Sequence, residues 1–193
     1  MPWGKSFDEE AALEKAVQVF WSRGFDSASM AELIEQTGVN RGSLYNAFGG
    51  KQSLFVQALA KYDRDRRKAL LADLEALDDP RRAICEFFDR VVAKTLDDTD
   101  RKGCFLFNTV SECATQNEQV NEIVANGLRE MEGFFRRSIE VGQARGLIRD
   151  DIDAAAKAAA LLALSLAIRV LGRGPHSEET LRMIAAEAKA LID

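Results

Sequence analysis

Leu13, Ala16, Val17, Phe20 and Trp21 recur at three- and four-residue intervals, the spacing that places apolar side chains on one face of an α-helix. Ser6 and Glu9 have the form of a capping box at the start of this helix, and Gly24 stops it. The cap signature returns at Ser29 and Glu32, around Met30, Leu33 and Ile34, and predicts a short second helix that breaks at Thr37, Gly38 and Val39. Asn40 caps a third, with Leu44 and Phe48 inward, before Gly49 and Gly50 interrupt. A fourth runs over 52–74, with Leu54, Phe55, Ala58, Leu59 and Tyr62 on one side and a dense charge run in its middle. Pro80 opens the next, which carries Ile84, Phe87, Phe88, Val91 and Val92 and fades at 97–100. Further helices are expected at 104–114 and 118–145, from an Asp151 cap to Leu171, and from a Ser177 cap through Leu191. The tally is about nine helices and the class all-α. A three-helix N-terminal domain at 1–51 precedes a helical bundle at 52–193, and the helix at 52–74 links them.

Composition agrees with a folded chain: over 193 residues, 47% are apolar and 30% charged, which excludes a disordered or collagen-like protein. The net charge of -5 repels polyanions, so a general nucleic-acid coat is excluded and any such contact must be local. Three cysteines, at 85, 104 and 113, are too few and too far apart for a disulfide framework or a clustered metal site, and neither metal nor cofactor is expected. The single histidine, His176, lies in a Gly-Pro-His-Ser loop without a companion, and no HExxH, nucleophile elbow or phosphate loop occurs, so no catalytic residues are assigned and an enzyme is not expected. MPWGKSFDEE carries acids where a secretory signal would be apolar. The most apolar stretch, 154–170, is shorter than the roughly 20 residues that span a bilayer and reads as a buried helix. A cytoplasmic protein without a membrane partner is the expectation.

The informative segment is Ser29 to Phe48: two short helices joined at a turn containing Gly38, a helix-turn-helix. From Gln36 through Tyr62 there is no Asp or Glu, while Arg41, Lys51 and Lys61 are present. The local charge therefore suits a duplex even though residues 1–62 together hold six basic against seven acidic side chains.

MAELIEQTGVNRGSLYNAFGGKQSLF at 30–55, with the preceding AVQVFWSRGFDSAS, resembles the TetR family of bacterial transcriptional regulators. The resemblance implies that Gly38 makes the turn, that the recognition helix spans Arg41 to Asn46, that Tyr45 and Lys51 grip the phosphate backbone, and that Ser29 sets the second helix's N-terminus near a phosphate. The side-chain chemistry is compatible. Phenol, ammonium and helix N–H groups suit phosphate oxygens, Arg41, Ser43 and Asn46 can meet base edges, and Gly42 permits close approach. The chain departs from the usual family pattern at Asn46-Ala47 and at Gly49-Gly50, where a bulkier pair is common. One short recognition helix supplies too little discrimination by itself, since a bidentate base contact is worth about 1–3 kcal/mol and a specific site needs about 4–10. A homodimer on palindromic double-stranded DNA is therefore expected, joined through 154–171 and 177–191.

By the same resemblance, family members bind small ligands between helices corresponding to residues 63–145. Phe87, Phe88, Phe105 and Phe134 could line an apolar cavity there, with Asn108 and Glu112 as polar anchors. GCFLFNTVSECA resembles the sensor region of relatives that respond to electrophiles or oxidants through the cysteine after the glycine, here Cys104. A helix N-terminus together with Arg101 and Lys102 favours an anion at that place. The reading is a regulator that represses, released from its operator by a small-molecule or electrophile effector. The alternative is a helical protein-interaction module that no longer reads DNA.

Overall fold

A computed structural model describes residues 7–112 and 117–193, the side chains at 111 and 112 excepted. The described residues form α1 (Glu9–Ser27), α2 (Met30–Thr37), α3 (Arg41–Phe48), α4 (Lys51–Tyr62), a π-helical stretch (Asp63–Lys68), α5 (Ala69–Glu75), α6 (Pro80–Leu96), α7 (Phe105–Glu112), α8 (Glu118–Ala144), α9 (Ala154–Leu171) and α10 (Glu178–Ala190). Counted as one run, α4 to α5 is the fourth of nine helices, and the protein is all-α as expected. The π stretch is the charge run DRDRRK itself.

Caps decide most of the helix ends. Ser29 accepts a hydrogen bond from the Glu32 N–H, Asn40 from Ser43, Asp79 from Arg81 and Arg82, and Ser177 from Thr180. Two caps differ from the sequence reading. Ser6 lies outside the described residues, and the Asp8 carboxylate takes the Glu10 and Ala11 N–H groups at the start of α1. Asp153, not Asp151, caps α9 through Ala155 and Ala156, because the helix starts at Ala154; Asp151 pairs with Arg149.

The chain packs as two compact units that do not follow chain order: unit 1 is Met1–Arg66 with Phe105–Val124, and unit 2 is Arg67–Cys104 with Ala125–Asp193. One passage between them falls inside the π stretch, one at the first residue of α7, and one inside α8.

In unit 1, α1 packs on α2, α4 and α7. An edge-to-face aromatic chain forms its core: Phe55 meets Phe20 at 5.1 Å, Phe25 at 5.0 Å and Phe105 at 5.6 Å, and Tyr62 meets Trp21 at 5.0 Å. Phe105 thus belongs to the packing of the N-terminal unit.

Lys61 is 7% exposed, and its ammonium donates to Glu10 at 2.5 Å and to Asp65 at 2.6 Å. These partners push the Lys61 pKa upward, and the Lys61 hydrogen bond holds the Asp65 carboxyl below the usual range. Because the carboxylate ends reach solvent, Lys61→Met should cost about 1–2 kcal/mol in a urea melt. Glu130 is likewise held low by Arg67, which donates to it at 2.6 Å. A depressed folded-state pKa stabilises above the unfolded value, near 4, and that contribution is lost as pH falls. Stability should therefore be level between about pH 5 and pH 8 and fall below about pH 4, with a shallower acid fall in Lys61→Met; the raised Lys61 and Cys85 pKa values make it fall again at alkaline pH.

In unit 2, Phe87 and Phe88 of α6 interlock with Phe134 and Phe135 of α8, at centroid separations of 4.9 Å for Phe87–Phe135 and 5.4 Å for Phe87–Phe88. Helices α9 and α10 pack on α6 and on each other. The expectation of a buried α9 is corrected. Ala158, Leu161, Ser165 and Ile168 are its buried stripe, and only 22% of the helix is buried within this chain. Ala155, Ala159, Ala163 and Val170 are exposed, the valine at 61%. By length and composition α9 is the one helix among the described residues that could cross a membrane, with a mean hydropathy of 1.8.

Candidate nucleic-acid interface

Two short helices set the site. α2 buries Leu33 and Thr37, and α3 buries Leu44 and Phe48 against unit 1, so the opposite side of α3 must face outward. Arg41, Gly42, Tyr45 and Asn46 are exposed and Ser43 is half-exposed. Gly38 adopts φ 73 and returns its N–H to the Ile34 carbonyl, closing α2 and turning the chain toward α3. None of the seven residues that the sequence assigned to DNA, all within the segment 29–51, is buried.

Each is held differently. The Arg41 guanidinium lies 5.7 Å from the centre of the Tyr45 ring, so the two side chains share one outward surface. Gly50, at φ 114, packs under that ring, and a β-carbon there would come within 3.3 Å of it. Of the Gly49-Gly50 pair that departs from the family pattern, Gly50 therefore seats Tyr45, while Gly49 lies against Ser53. Ser29 Oγ accepts the Glu32 N–H at 3.0 Å, which leaves its O–H to donate outward. α4 starts at Lys51 with no side-chain cap. The Lys51 ammonium donates to the Asp26 carbonyl at 3.3 Å and lies 4.6 Å from the centre of the Phe25 ring.

Lys61 does not belong to this surface. It was counted with Arg41 and Lys51 in the acid-free window, but acids from α1 and from the π stretch surround it, and its charge is spent internally. A sequence window sees neighbours along the chain and misses Glu10, 51 residues away.

The expected effector residues are divided. Phe87, Phe88 and Phe134 are in unit 2, each at most 2% exposed and packed on one another, whereas Phe105 and Asn108 are buried in unit 1. The Glu112 side chain and Cys113 lie outside the described residues. Cys104, 9% exposed, carries a thiol and immediately precedes α7. Its loop is tightly formed: Arg101 has φ 53, Gly103 has φ 69 and donates its N–H to Asp98 at 2.7 Å, and Lys102 pairs with Asp100 at 3.0 Å. A cleft of about 350 Å³ in unit 2 lies elsewhere, between Leu74, Pro80 and Ala83 on one side and Arg137, Val141 and Arg145 on the other. None of the expected effector residues lines it.

Two family models match: residues 12–58 fit the bacterial regulatory proteins of the tetR family, and residues 80–185 fit the tetracyclin repressor-like C-terminal domain. The chain belongs to the TetR family. The HTH-type transcriptional repressor ComR of Escherichia coli is 30% identical over 94% of this chain and 87% of its own length. The HTH-type transcriptional repressor NicS of Pseudomonas putida is 32% identical over 72% of this chain and 65% of its own length. Among solved structures, a cysteine-substituted form of the TetR family regulator CifR, complexed with 26-base-pair operator DNA, is 28% identical and superposes with a TM-score of 0.85 over 96% of this chain and 97% of that one. The reduced form of Escherichia coli NemR, at 21% identity and a TM-score of 0.86, shares the fold over 95% of this chain and 96% of that one. TetR-family membership and sequence-specific DNA binding follow.

Proposed function

We propose that this TetR-family regulator is a homodimeric repressor that holds a palindromic operator through α3 of each protomer and releases it when an effector acts on the body. Residues 1–51 read the DNA, and residues 52–193 bind the partner copy and the effector. The observation that carries the reading is the composition of the exposed side of α3 and the start of α4: Arg41, Ser43, Tyr45, Asn46 and Lys51, with no carboxylate from residue 36 to residue 62. In these roles Lys51, Tyr45 and the Ser29 hydroxyl take phosphates, Arg41, Ser43 and Asn46 take base edges, and Gly42 lets the helix approach. The half-site spacing is about one helical turn or a multiple of it.

The exposed side of α9 supports the dimer. Ala155, Ala159, Ala163 and Val170 fall on one stripe, and Met183, at 55% exposure, stands out from α10. Small side chains let two helices approach closely, and a second copy of these helices would remove the stripe from water. The relatives called repressors support the sign of regulation.

For release, the Cys104–Phe105 peptide bond is a passage between the units: Cys104 closes a unit 2 segment and Phe105 packs on Phe55 and Tyr62 in unit 1. An adduct on Cys104, or a small apolar ligand displacing Phe87, Phe88 or Phe134 within unit 2, would favour a body geometry that spaces the two α3 helices wrongly, and DNA affinity falls by linkage. The thiol version is checked by mass spectrometry after limiting N-ethylmaleimide. Burial pushes the Cys85 thiol pKa up, so Cys85 should react slowly; the thiol mechanism expects Cys104 to modify faster than Cys85 and Cys113, and a rate no faster than theirs would remove the thiol from the mechanism.

The DNA reading is tested by fluorescence anisotropy with a selected duplex between 50 and 200 mM salt. Two Lys51 phosphate contacts, one per protomer, set a slope of about -1.8 in log K against log salt and at least about a tenfold loss of affinity over that interval. Salt-independent binding would favour an interaction module held by apolar helices.

A further inference from the structure

We propose that Phe25 is a positioning residue for DNA binding: its ring, with the Asp26 backbone carbonyl, forms a seat that aims the Lys51 ammonium at a phosphate. The inference rests on the DNA-binding reading above and adds to it a residue that does not itself touch the duplex.

Arg23, Lys61, Arg64 and Arg66 each face a carboxylate, from Glu32, Glu10, Asp65 or Glu14. Lys51 is half-buried and makes no ion pair among the described residues. Its ammonium lies 4.6 Å from the centre of the Phe25 ring and donates one hydrogen bond, 3.3 Å long, to the Asp26 carbonyl. A ring face and a carbonyl dipole attract the cation without neutralising it, so the charge stays available to an external anion, and only one of the three N–H donors is used in the carbonyl hydrogen bond. A partly buried ammonium without a carboxylate is costly unless an anion from outside completes it.

The seat is built to be rigid. Gly24 leaves the helical region at φ 76 and ψ 175, which interrupts α1 and swings Phe25 out of the register that the helix would have given it. The ring then packs edge-to-face on Phe55 at 5.0 Å and stacks on Phe20 at 6.5 Å, so one face is fixed in the core while the ammonium covers another part of the ring. Phe55 belongs to the same helix as Lys51, one turn further on, so ring and lysine are registered to each other by α4. Without the seat, Lys51 would be a flexible four-carbon chain that pays its rotamer entropy on meeting the phosphate.

The probe is the strongest duplex recovered from random-sequence selection with the wild-type protein, so wild-type binding establishes the DNA reading before the seat is examined. Replacing Phe25 with a trifluorinated phenylalanine keeps its shape and drains the negative face of the ring. Affinity for the duplex should fall about three- to tenfold, with mono- and difluorinated rings between. Phe25→Leu should lose at least as much, Phe25→Tyr should restore binding, and Asp26→Asn should leave it unchanged, since the backbone carbonyl and not the carboxylate holds Lys51. In the Lys51→Met background the fluorinated ring should have no effect. A loss of equal size in that background, or full affinity with the trifluorinated ring, would overturn the proposal and leave Phe25 as core alone, even with wild-type DNA binding intact. Should Phe25→Leu fail to fold, the fluorinated series and Phe25→Tyr carry the test.

Discussion

If the proposed dimer forms through α9, Ala159→Glu with Ala163→Glu should convert it to a monomer that no longer holds its operator at physiological salt. Both alanines are exposed on α9, one turn apart on the stripe that ends at Val170. Glutamate is a good helix former, so the helix itself should persist, while four carboxylates would meet across a two-fold axis in a dry interface. Losing the partner removes one of two equivalent half-sites. If a specific site exceeds random DNA by about 4–10 kcal/mol, half of that margin is about 2–5 kcal/mol, or roughly thirty- to several-thousand-fold in affinity. Analytical ultracentrifugation gives the mass and anisotropy the affinity; a double variant that stays dimeric would place the interface elsewhere.

The second large effect belongs to Arg41. Its guanidinium stands outward beside the Tyr45 ring with no carboxylate on α3 or at the start of α4 to hold it. Arg41→Ala removes the side chain best suited to a bidentate contact with a guanine edge. At about 1–3 kcal/mol per contact and two contacts per dimer, affinity for the selected duplex should drop by about thirtyfold or more, while affinity for random DNA changes little. The loss should map to one base position in each half-site, where the variant tolerates any base. Unchanged preference at every position would assign Arg41 to phosphate or to solvent.

Local signals carried the sequence reading well. Ser29, Asn40 and Ser177 cap the helices they were assigned, because a cap is decided by residues within one turn of it. The outward face of α3 was equally legible, since the burial of Leu44 and Phe48 fixes where Arg41, Tyr45 and Asn46 point. What escaped was decided at long range. Lys61 looked like a DNA-facing charge until α1 brought Glu10 and Glu14 to it. Phe105 looked like a ligand-cavity residue of the C-terminal bundle, yet α7 returns it to the aromatic core of the N-terminal unit. Asp151 was read as the α9 cap, but the helix starts at Ala154 and Asp153 takes the cap. The apolar run of α9 read as buried because periodicity records how apolar a helix is and is silent on whether its cover comes from the same chain. The π stretch had a visible trace only as six consecutive charged residues, 63–68, a run that gives no register signal.

The claim on which the account depends is that two copies of the α3 surface read one duplex. Selection of random double-stranded DNA at about 100 mM salt, followed by sequencing of the bound fraction, addresses it directly. The account predicts a motif of two inverted half-sites whose centres lie about one helical turn, or a multiple of it, apart. It also predicts that selection with Arg41→Ala returns the same motif with one symmetric pair of positions relaxed. Recovery of no enriched motif by the wild-type protein, or of a single unrepeated half-site, would contradict it.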